Sequence, residues 1–101
     1  MAELTAPIFI SPAHPCIADH FPGKPVAPGA LVLDLMAAAY LARFPARHLA
    51  EITHAKFLKP VLPGVVSTLS VTEPKPQMLR FELRDNRNEL LITSTMRFQP
   101  L

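Results

Sequence analysis

A single aspartate interrupts an otherwise apolar segment of the chain. Residues 30–42, ALVLDLMAAAYLA, contain no charged residue except Asp34. The alanines and leucines favour a helix, which Pro28 and Gly29 would begin and the Phe-Pro pair at 44–45 would end. Because this helix would be apolar on nearly every side, we expect other protein elements to surround it.

Asp34 therefore needs an explanation. An ionised carboxylate that is buried without a partner costs several kcal/mol in order of magnitude. Three alternatives remain: the side chain reaches solvent, it has a structural partner, or it takes part in function. The 3.6-residue repeat predicts one stripe of mainly small side chains around it, made of Ala30, Asp34, Ala37, Ala38 and Leu41. A backbone or a ligand could approach such a stripe closely.

The rest of the chain predicts strands. They are expected at 4–10, 50–58, 65–72, 77–84 and 89–98, with a hairpin turn at Asp-Asn-Arg-Asn, 85–88. The proline at position 7 suggests an edge position for the first strand. With 101 residues, 50% hydrophobic and 18% charged, the chain is predicted to be a single α+β domain over 1–101, with an antiparallel sheet wrapped around one central helix. Pairing two such sheets edge to edge in a dimer would remove one exposed edge per chain.

The composition argues against several functional classes. The net charge is only +2 and tryptophan is absent, so nucleic acid is not expected as a partner. Cys16 is the only cysteine, which excludes an internal disulfide, and no metal-ligand spacing surrounds it. Neither a signal peptide nor a membrane-spanning run is visible. A cytoplasmic protein is therefore expected.

A stiff loop precedes the helix. Residues 11–29 hold five of the twelve prolines and two of the three glycines, and long ordered loops in small domains tend to carry function. His20 lies in this loop, and Gly29 lies at the helix start, where backbone N–H groups are free and the dipole is positive. A base, a carboxyl group from Asp34 and a polarising amide suit chemistry that develops charge on a thioester or ketone oxygen.

The segment "HFPGKPVAPGALVLD" resembles the active-site segment of the 3-hydroxyacyl-acyl-carrier-protein dehydratases, which have the hotdog fold. The family motif has an acidic residue fourteen positions after the histidine, as here. "HAKFLKPVLPG", 54–64, resembles a second landmark of the family, and the likeness covers roughly residues 8 to 98. The matching positions of the first motif are His20, Phe21, Pro22, Gly23, Pro25, Pro28, Gly29 and Asp34.

This resemblance implies roles for individual residues. His20 would be the base that removes a C2 proton from a 3-hydroxyacyl thioester, and the Gly29 amide would polarise the thioester carbonyl. Asp34 of the partner subunit would handle the proton that goes to the departing hydroxyl. The product would be a trans-2-enoyl thioester in fatty-acid or polyketide-type synthesis, formed with no metal or redox cofactor. Substrate contacts would come from Phe21, Ala27, Pro28, Ala30 and Ala38.

The resemblance also implies partners. The substrate would arrive on the phosphopantetheine arm of an acyl carrier protein, and Lys24, Arg43, Lys56 and Lys59 could form a basic rim for that acidic protein or for the phosphate of its arm. The alternative for these four residues is scattered surface charge. The chain would form a homodimer, or a heterodimer with another hotdog chain.

One departure from the family keeps other functions open. The family often has a glutamine four residues after the acid, where this chain has Ala38. One alternative is therefore a catalytically silent hotdog subunit that binds acyl carrier protein or pairs with an active paralogue. Another is an acyl thioesterase. Aspartate in place of glutamate also matches the branch of the family that isomerises its product, although this feature does not establish isomerisation.

Overall fold

The computed structural model describes residues 3–15 and 27–101, which form one antiparallel sheet and one long helix. The order along the chain is strand, helix and four more strands. The elements are β1 (Leu4–Ile8), α1 (Gly29–Arg43), β2 (Arg47–Phe57), β3 (Ser67–Lys75), β4 (Met78–Arg84) and β5 (Leu90–Pro100). The predicted α+β class is confirmed, and the helix has the predicted bounds. In the described ranges, no helical segment has the length and hydrophobicity that a membrane crossing requires.

All strand pairs are antiparallel, and the sheet order is β1-β3-β4-β5-β2. β1 lies at one edge, as Pro7 predicts, but it ends at Ile8 and not at Ile10. β2 lies at the other edge and, among the residues that the structure describes, pairs only with β5, the last strand along the chain. The strand that follows the helix therefore lies far in the sheet from β3, the next strand along the chain.

Alternate residues of the three central strands, β3, β4 and β5, are buried and form the core. Leu69, Val71, Leu79, Phe81 and Leu83 all point to the face that the helix covers and are buried. The α1 side chains that pack on the sheet are fully buried, and so are the β5 side chains on the same side of the sheet. These are Val32, Met36 and Tyr40 on α1, and Ile92, Met96 and Phe98 on β5. Each such side chain contributes about 1.5–3 kcal/mol through burial, which holds α1 in one rotational position.

The expectation that protein surrounds the helix is wrong for the single chain. Ala30, Asp34 and Ala38 are exposed, on the side of α1 that faces away from the sheet. Ala37, which was placed on the same stripe, is buried on the sheet side. The physical reason is that residues 3–15 and 27–101 supply one main layer, the sheet, to cover α1. The apolar sequence on the far side is left for something outside the chain.

The edge strand β2 is also incompletely covered. Its register with β5 places Leu49, Ile52, Ala55 and Phe57 on the helix-facing side of the sheet, yet Ile52 is 39% exposed and Phe57 is 52% exposed. Two register shifts interrupt the pairing between Leu49 and His54, as bulges do at sheet edges. β2 thus presents an unpaired backbone edge together with an apolar row.

The turn between β4 and β5 confirms the predicted hairpin. The Asp85 carboxylate accepts hydrogen bonds from the N–H groups of Arg87 (2.8 Å) and Glu89 (2.9 Å). Asn88 has a positive φ of 64°, a conformation that asparagine adopts more easily than most residues. The bond from Glu89 is the main reason why the pKa of Asp85 lies below its ordinary value.

Candidate functional site

The start of α1 is open to a ligand. Pro28 precedes the helix in an extended conformation and makes no side-chain capping bond. The first bond of the helix is donated by Val32 to the Pro28 carbonyl, at 3.2 Å. The N–H groups of Gly29, Ala30 and Leu31 therefore come before the intrahelical ladder, and they carry the partial positive charge of the helix start.

Backbone hydrogen bonds hold the walls of the site near this helix end. The N–H of Ala27 donates to the carbonyl of Val61 at 2.9 Å, which joins the segment before α1 to the connection after β2. The N–H groups of Leu58 and Lys59 both donate to the carbonyl of Leu91, at 2.8 and 3.2 Å. The connection from β2 is thus tied to β5 on one side and to the helix start on the other.

A cavity of about 460 Å³ lies between these segments. Its size is in the range of small-molecule sites, which are usually apolar with a few polar groups. The Gly29 backbone lies at its wall, and most other lining side chains are apolar. The lining residues are Ala27, Gly29, Val32, Phe57, Leu58, Lys59, Pro60, Val61 and Ile92.

The ring of Phe57 lies directly against Gly29. A Cβ atom placed on Gly29 would be only 2.7 and 2.8 Å from Cε1 and Cζ of Phe57. Glycine is therefore required here for steric reasons, since any other residue would push the ring aside. The sequence reasoning assigned no role to Phe57. The signal was available, because an aromatic residue at a strand end before "KPVLPG" is well placed to pack on a neighbouring small residue.

Asp34 lies one and a half turns after Gly29, about 7.5 Å further along the helix axis. Its side chain is exposed on the outward stripe with Ala30 and Ala38, and it does not line the cavity of its own chain. Of the three alternatives for Asp34, the single chain realises the first: the carboxylate reaches solvent. The chain therefore presents the Gly29 amide at the cavity and the Asp34 carboxylate on another face of the molecule.

Other predicted site residues are only partly brought together. His20, Phe21 and Lys24 lie outside the described residues, so their placement stays a prediction. Ala27 lines the cavity, and Pro28 directly follows it at the helix start. Their contact with a substrate stays a prediction.

The predicted basic rim is divided between two ends of the molecule. Lys59 lines the cavity and forms an ion pair with Glu89. Lys56 is exposed at the same end of β2. Arg43 ends α1, about 21 Å from Gly29 along the helix axis, so it does not belong to the same rim. In residues 3–15 and 27–101, no three His, Cys, Asp or Glu side chains are grouped so that they could hold a metal ion.

A polar cluster at the other end of α1 was missed by the sequence reasoning. Arg47 donates hydrogen bonds to the Tyr40 hydroxyl (2.7 Å) and to the Glu73 carboxylate (3.2 Å). Glu73, which is only 7% exposed, also accepts a bond from the N–H of Gln77 at 2.7 Å. The cluster joins the C-terminal end of α1 to β2 and to the β3–β4 hairpin.

Electrostatics at this cluster follow from burial and from the ion pair. Burial raises the pKa of the Tyr40 hydroxyl, and the Arg47 guanidinium only partly opposes the rise. Burial alone would lower the pKa of Arg47, but its hydrogen bond to Glu73 and its contact with Tyr40 leave that pKa above the ordinary value. Alternation along β3 gave a signal for this cluster, because Leu69, Val71 and Glu73 fall on one face of the strand.

Comparison with known proteins identifies the family of this chain. Residues 1–95 match the ApeI-like family, which is described as ApeI dehydratase. The chain belongs to the ApeI-like family.

Curated relatives of this ApeI-like chain include the 3-hydroxyacyl-[acyl-carrier-protein] dehydratase FabZ of Haemophilus influenzae. The two are 39% identical over 71 residues, which is 61% of this chain and 48% of the relative. The chain thus spans about half the length of the curated relatives it matches. The suspected relationship to the 3-hydroxyacyl-acyl-carrier-protein dehydratases is confirmed at the level of the family.

Solved structures confirm the hotdog fold. A chain of the dehydratase heterocomplex ApeI:P from Xenorhabdus doucetiae superposes with a TM-score of 0.80 at 21% identity, covering 96% of this chain and 87% of the other. A variant of the fluoroacetyl-CoA-specific thioesterase FlK superposes with a TM-score of 0.69 at 15% identity, covering 98% and 84%. At these identities the likeness shows the fold alone, which hosts dehydratases and thioesterases.

Proposed function

We propose that this protein is a 3-hydroxyacyl-[acyl-carrier-protein] dehydratase that works as a dimer. The observation that carries the proposal is the Gly29 backbone at the wall of an apolar cavity, at the free end of a helix. A thioester carbonyl that accepts a hydrogen bond from this amide would have its developing negative charge stabilised. Membership of the ApeI-like family supports the same reaction class.

Two further groups, His20 and Asp34, would carry out the proton transfers that the elimination of water requires. His20 would take the C2 proton, the electron pair of that bond would form the C2=C3 double bond, and the C3–O bond would break. Asp34 would supply the proton with which the hydroxyl leaves as water. His20 then holds one proton and Asp34 lacks one, so a proton returned through solvent resets the site. No redox change occurs, and no redox cofactor is required.

The dimer is proposed because the single chain leaves related surfaces uncovered. β2 has an open backbone edge, and the apolar side chains of Ile52 and Phe57 are partly exposed beside it. The outward stripe of α1 exposes Asp34 between two alanines. A second hotdog chain paired along β2 would extend the sheet and bring this stripe against protein. The acid would then serve the cavity of the partner subunit.

Turnover of a 3-hydroxyacyl thioester tests the proposal. The purified protein should form the enoyl thioester, followed by its ultraviolet absorbance, on an acyl-carrier-protein substrate and more weakly on a pantetheine analogue. The variants His20→Ala and Asp34→Asn should each lose at least about 100-fold in kcat, the usual contribution of a general acid or base. Thr72→Ala, at an exposed position of β3 away from the cavity, is the control and should remain active. Full activity of both site variants would refute these roles.

A second candidate function is a catalytically silent subunit of a heterodimer. Ala38 favours it, because the glutamine that often supports the acid in the dehydratases is absent. The structural neighbour from Xenorhabdus doucetiae comes from a heterocomplex of dehydratase chains. If the isolated protein is inert but confers activity when mixed with a second hotdog chain, this function is correct. Release of free thiol from an acyl thioester would instead indicate a thioesterase.

A further inference from the structure

The ring of Phe57 lies beside Gly29, at the wall of the cavity where a ligand would bind. In a helix each Cα–Cβ bond tilts toward the N-terminus, the direction in which the free N–H groups also point. A methyl group in the Cβ position of Gly29 would be 2.7 Å from the ring, well inside van der Waals contact. The ring therefore packs against the Cα of Gly29 and borders the space next to its amide.

The backbone of Phe57 is held in place, but its side chain has room to turn. Phe57 ends β2, and the next two residues both donate hydrogen bonds to the Leu91 carbonyl. Its ring borders the cavity, so it can shift toward that space and admit a ligand at Gly29 without movement of the strand. The ring stays next to whatever binds there.

We propose that Phe57 is a specificity-determining residue that restricts the substrate to acyl thioesters without a substituent at C2. The inference rests on the proposed function, in which the thioester carbonyl binds the Gly29 amide. The carbonyl carbon carries C2 on one side and the sulfur on the other, and in the proposed orientation C2 lies on the side of the Phe57 ring. A hydrogen at C2 would then fit after a small shift of the ring, whereas a methyl group would collide with it.

Removal of the Phe57 ring should weaken the discrimination against thioesters that carry a substituent at C2. The assay compares a 3-hydroxyacyl thioester with its 2-methyl analogue, both offered to the wild type and to Phe57→Ala. The kcat/KM ratio of the 2-methyl to the unbranched substrate should rise about tenfold or more in Phe57→Ala, as is usual when a hydrophobic pocket gains or loses room for one carbon. Phe57→Leu should give an intermediate ratio.

Phe9→Ala provides the matched control. Phe9 is 55% exposed, close to the exposure of Phe57, but it does not line the cavity. Its removal should leave the substrate ratio unchanged. Turnover of the unbranched thioester with the same ratio in Phe57→Ala and the wild type would refute the role of Phe57 alone. Absence of turnover with either thioester would refute the proposed function and, with it, this role.

A thermal measurement tests the contact without any substrate. Gly29→Ala should lower Tm in the wild-type background, because its new methyl group meets the ring. In the Phe57→Ala background the same substitution should be neutral or raise Tm, since alanine favours helix. Equal effects in both backgrounds would overturn the proposed packing of Phe57 on Gly29 and the specificity argued from it.

Discussion

Replacement of Arg47 by methionine should destabilise the protein more than its half-exposed position suggests. The change removes the donor to the Tyr40 hydroxyl and the cation beside Glu73, at 2.7 and 3.2 Å. Methionine keeps most of the length of the side chain, so the loss is one of charge and hydrogen bonding. The Glu73 side chain, only 6% exposed, would keep its bond from Gln77 but lose the cation.

The expected cost is about 2–3 kcal/mol. Breaking a fully buried ion pair costs about 3–5 kcal/mol, because one charge stays buried without compensation. Arg47 is 27% exposed in this pair, so solvent screens part of the interaction and the lower estimate applies. For a domain of about 100 residues, 1 kcal/mol corresponds to roughly 4–8 °C in Tm. Arg47→Met should therefore melt roughly 10–20 °C below the wild type.

Two further variants separate the charge from the hydrogen bond. Tyr40→Phe removes one hydrogen bond and should cost about 1 kcal/mol. Arg47→Met combined with Glu73→Gln removes both charges, so it should recover a large part of the loss. Circular dichroism melts at one fixed protein concentration provide the measurement, since association would make Tm depend on concentration. A double variant no more stable than Arg47→Met would refute the argument that the loss comes from the charge of Glu73 after removal of the Arg47 cation.

Two other substitutions test the hairpin turn and the edge of the sheet. Because the folded pKa of Asp85 is lowered, its charge stabilises the protein above the unfolded pKa of about 4. The Tm advantage of the wild type over Asp85→Asn should thus hold at neutral pH and disappear as the pH falls below about 4; an advantage that persists there contradicts the assignment. Ile52→Asp should convert a dimer to monomer in sedimentation velocity, whereas Thr72→Asp, on the exposed side of β3, should not.

The helix and its ends were predictable because the determinants are local. Pro28 and Gly29 begin α1, and Phe44 precedes a proline that ends it. The buried residues Leu79, Phe81 and Leu83 of β4 likewise alternate with more exposed ones, which is a local pattern. The sheet order was not predictable in this way, because the pairing of β2 with β5 joins segments that are separated by the whole β3–β4 hairpin. Such pairing depends on non-local packing and leaves no local pattern.

The candidate site was only partly predictable for a related reason. Gly29 and Asp34 were singled out as candidates because they lie in one short motif. The cavity wall, by contrast, is completed by Phe57 and Val61, which reach the helix start only through the fold. Glu73 had a signal in the alternation of β3, but its partner Arg47 lies on another strand at a distance in sequence. The sequence thus indicated the residues of the motif, but it did not indicate the contacts between segments that are distant in sequence.

Asp34 is exposed in the single chain, so the cost of burying its carboxylate arises only when a dimer forms. In the single chain the carboxylate costs little, because water solvates it on the outward stripe of α1. Association along this stripe would remove that water, and an unpaired carboxylate would then oppose dimerisation by several kcal/mol in order of magnitude. Ala30 and Ala38 on either side show that alanine suits the stripe. An aspartate there is therefore best explained by a polar group that meets it across the interface, and we expect that group to be the imidazole of His20.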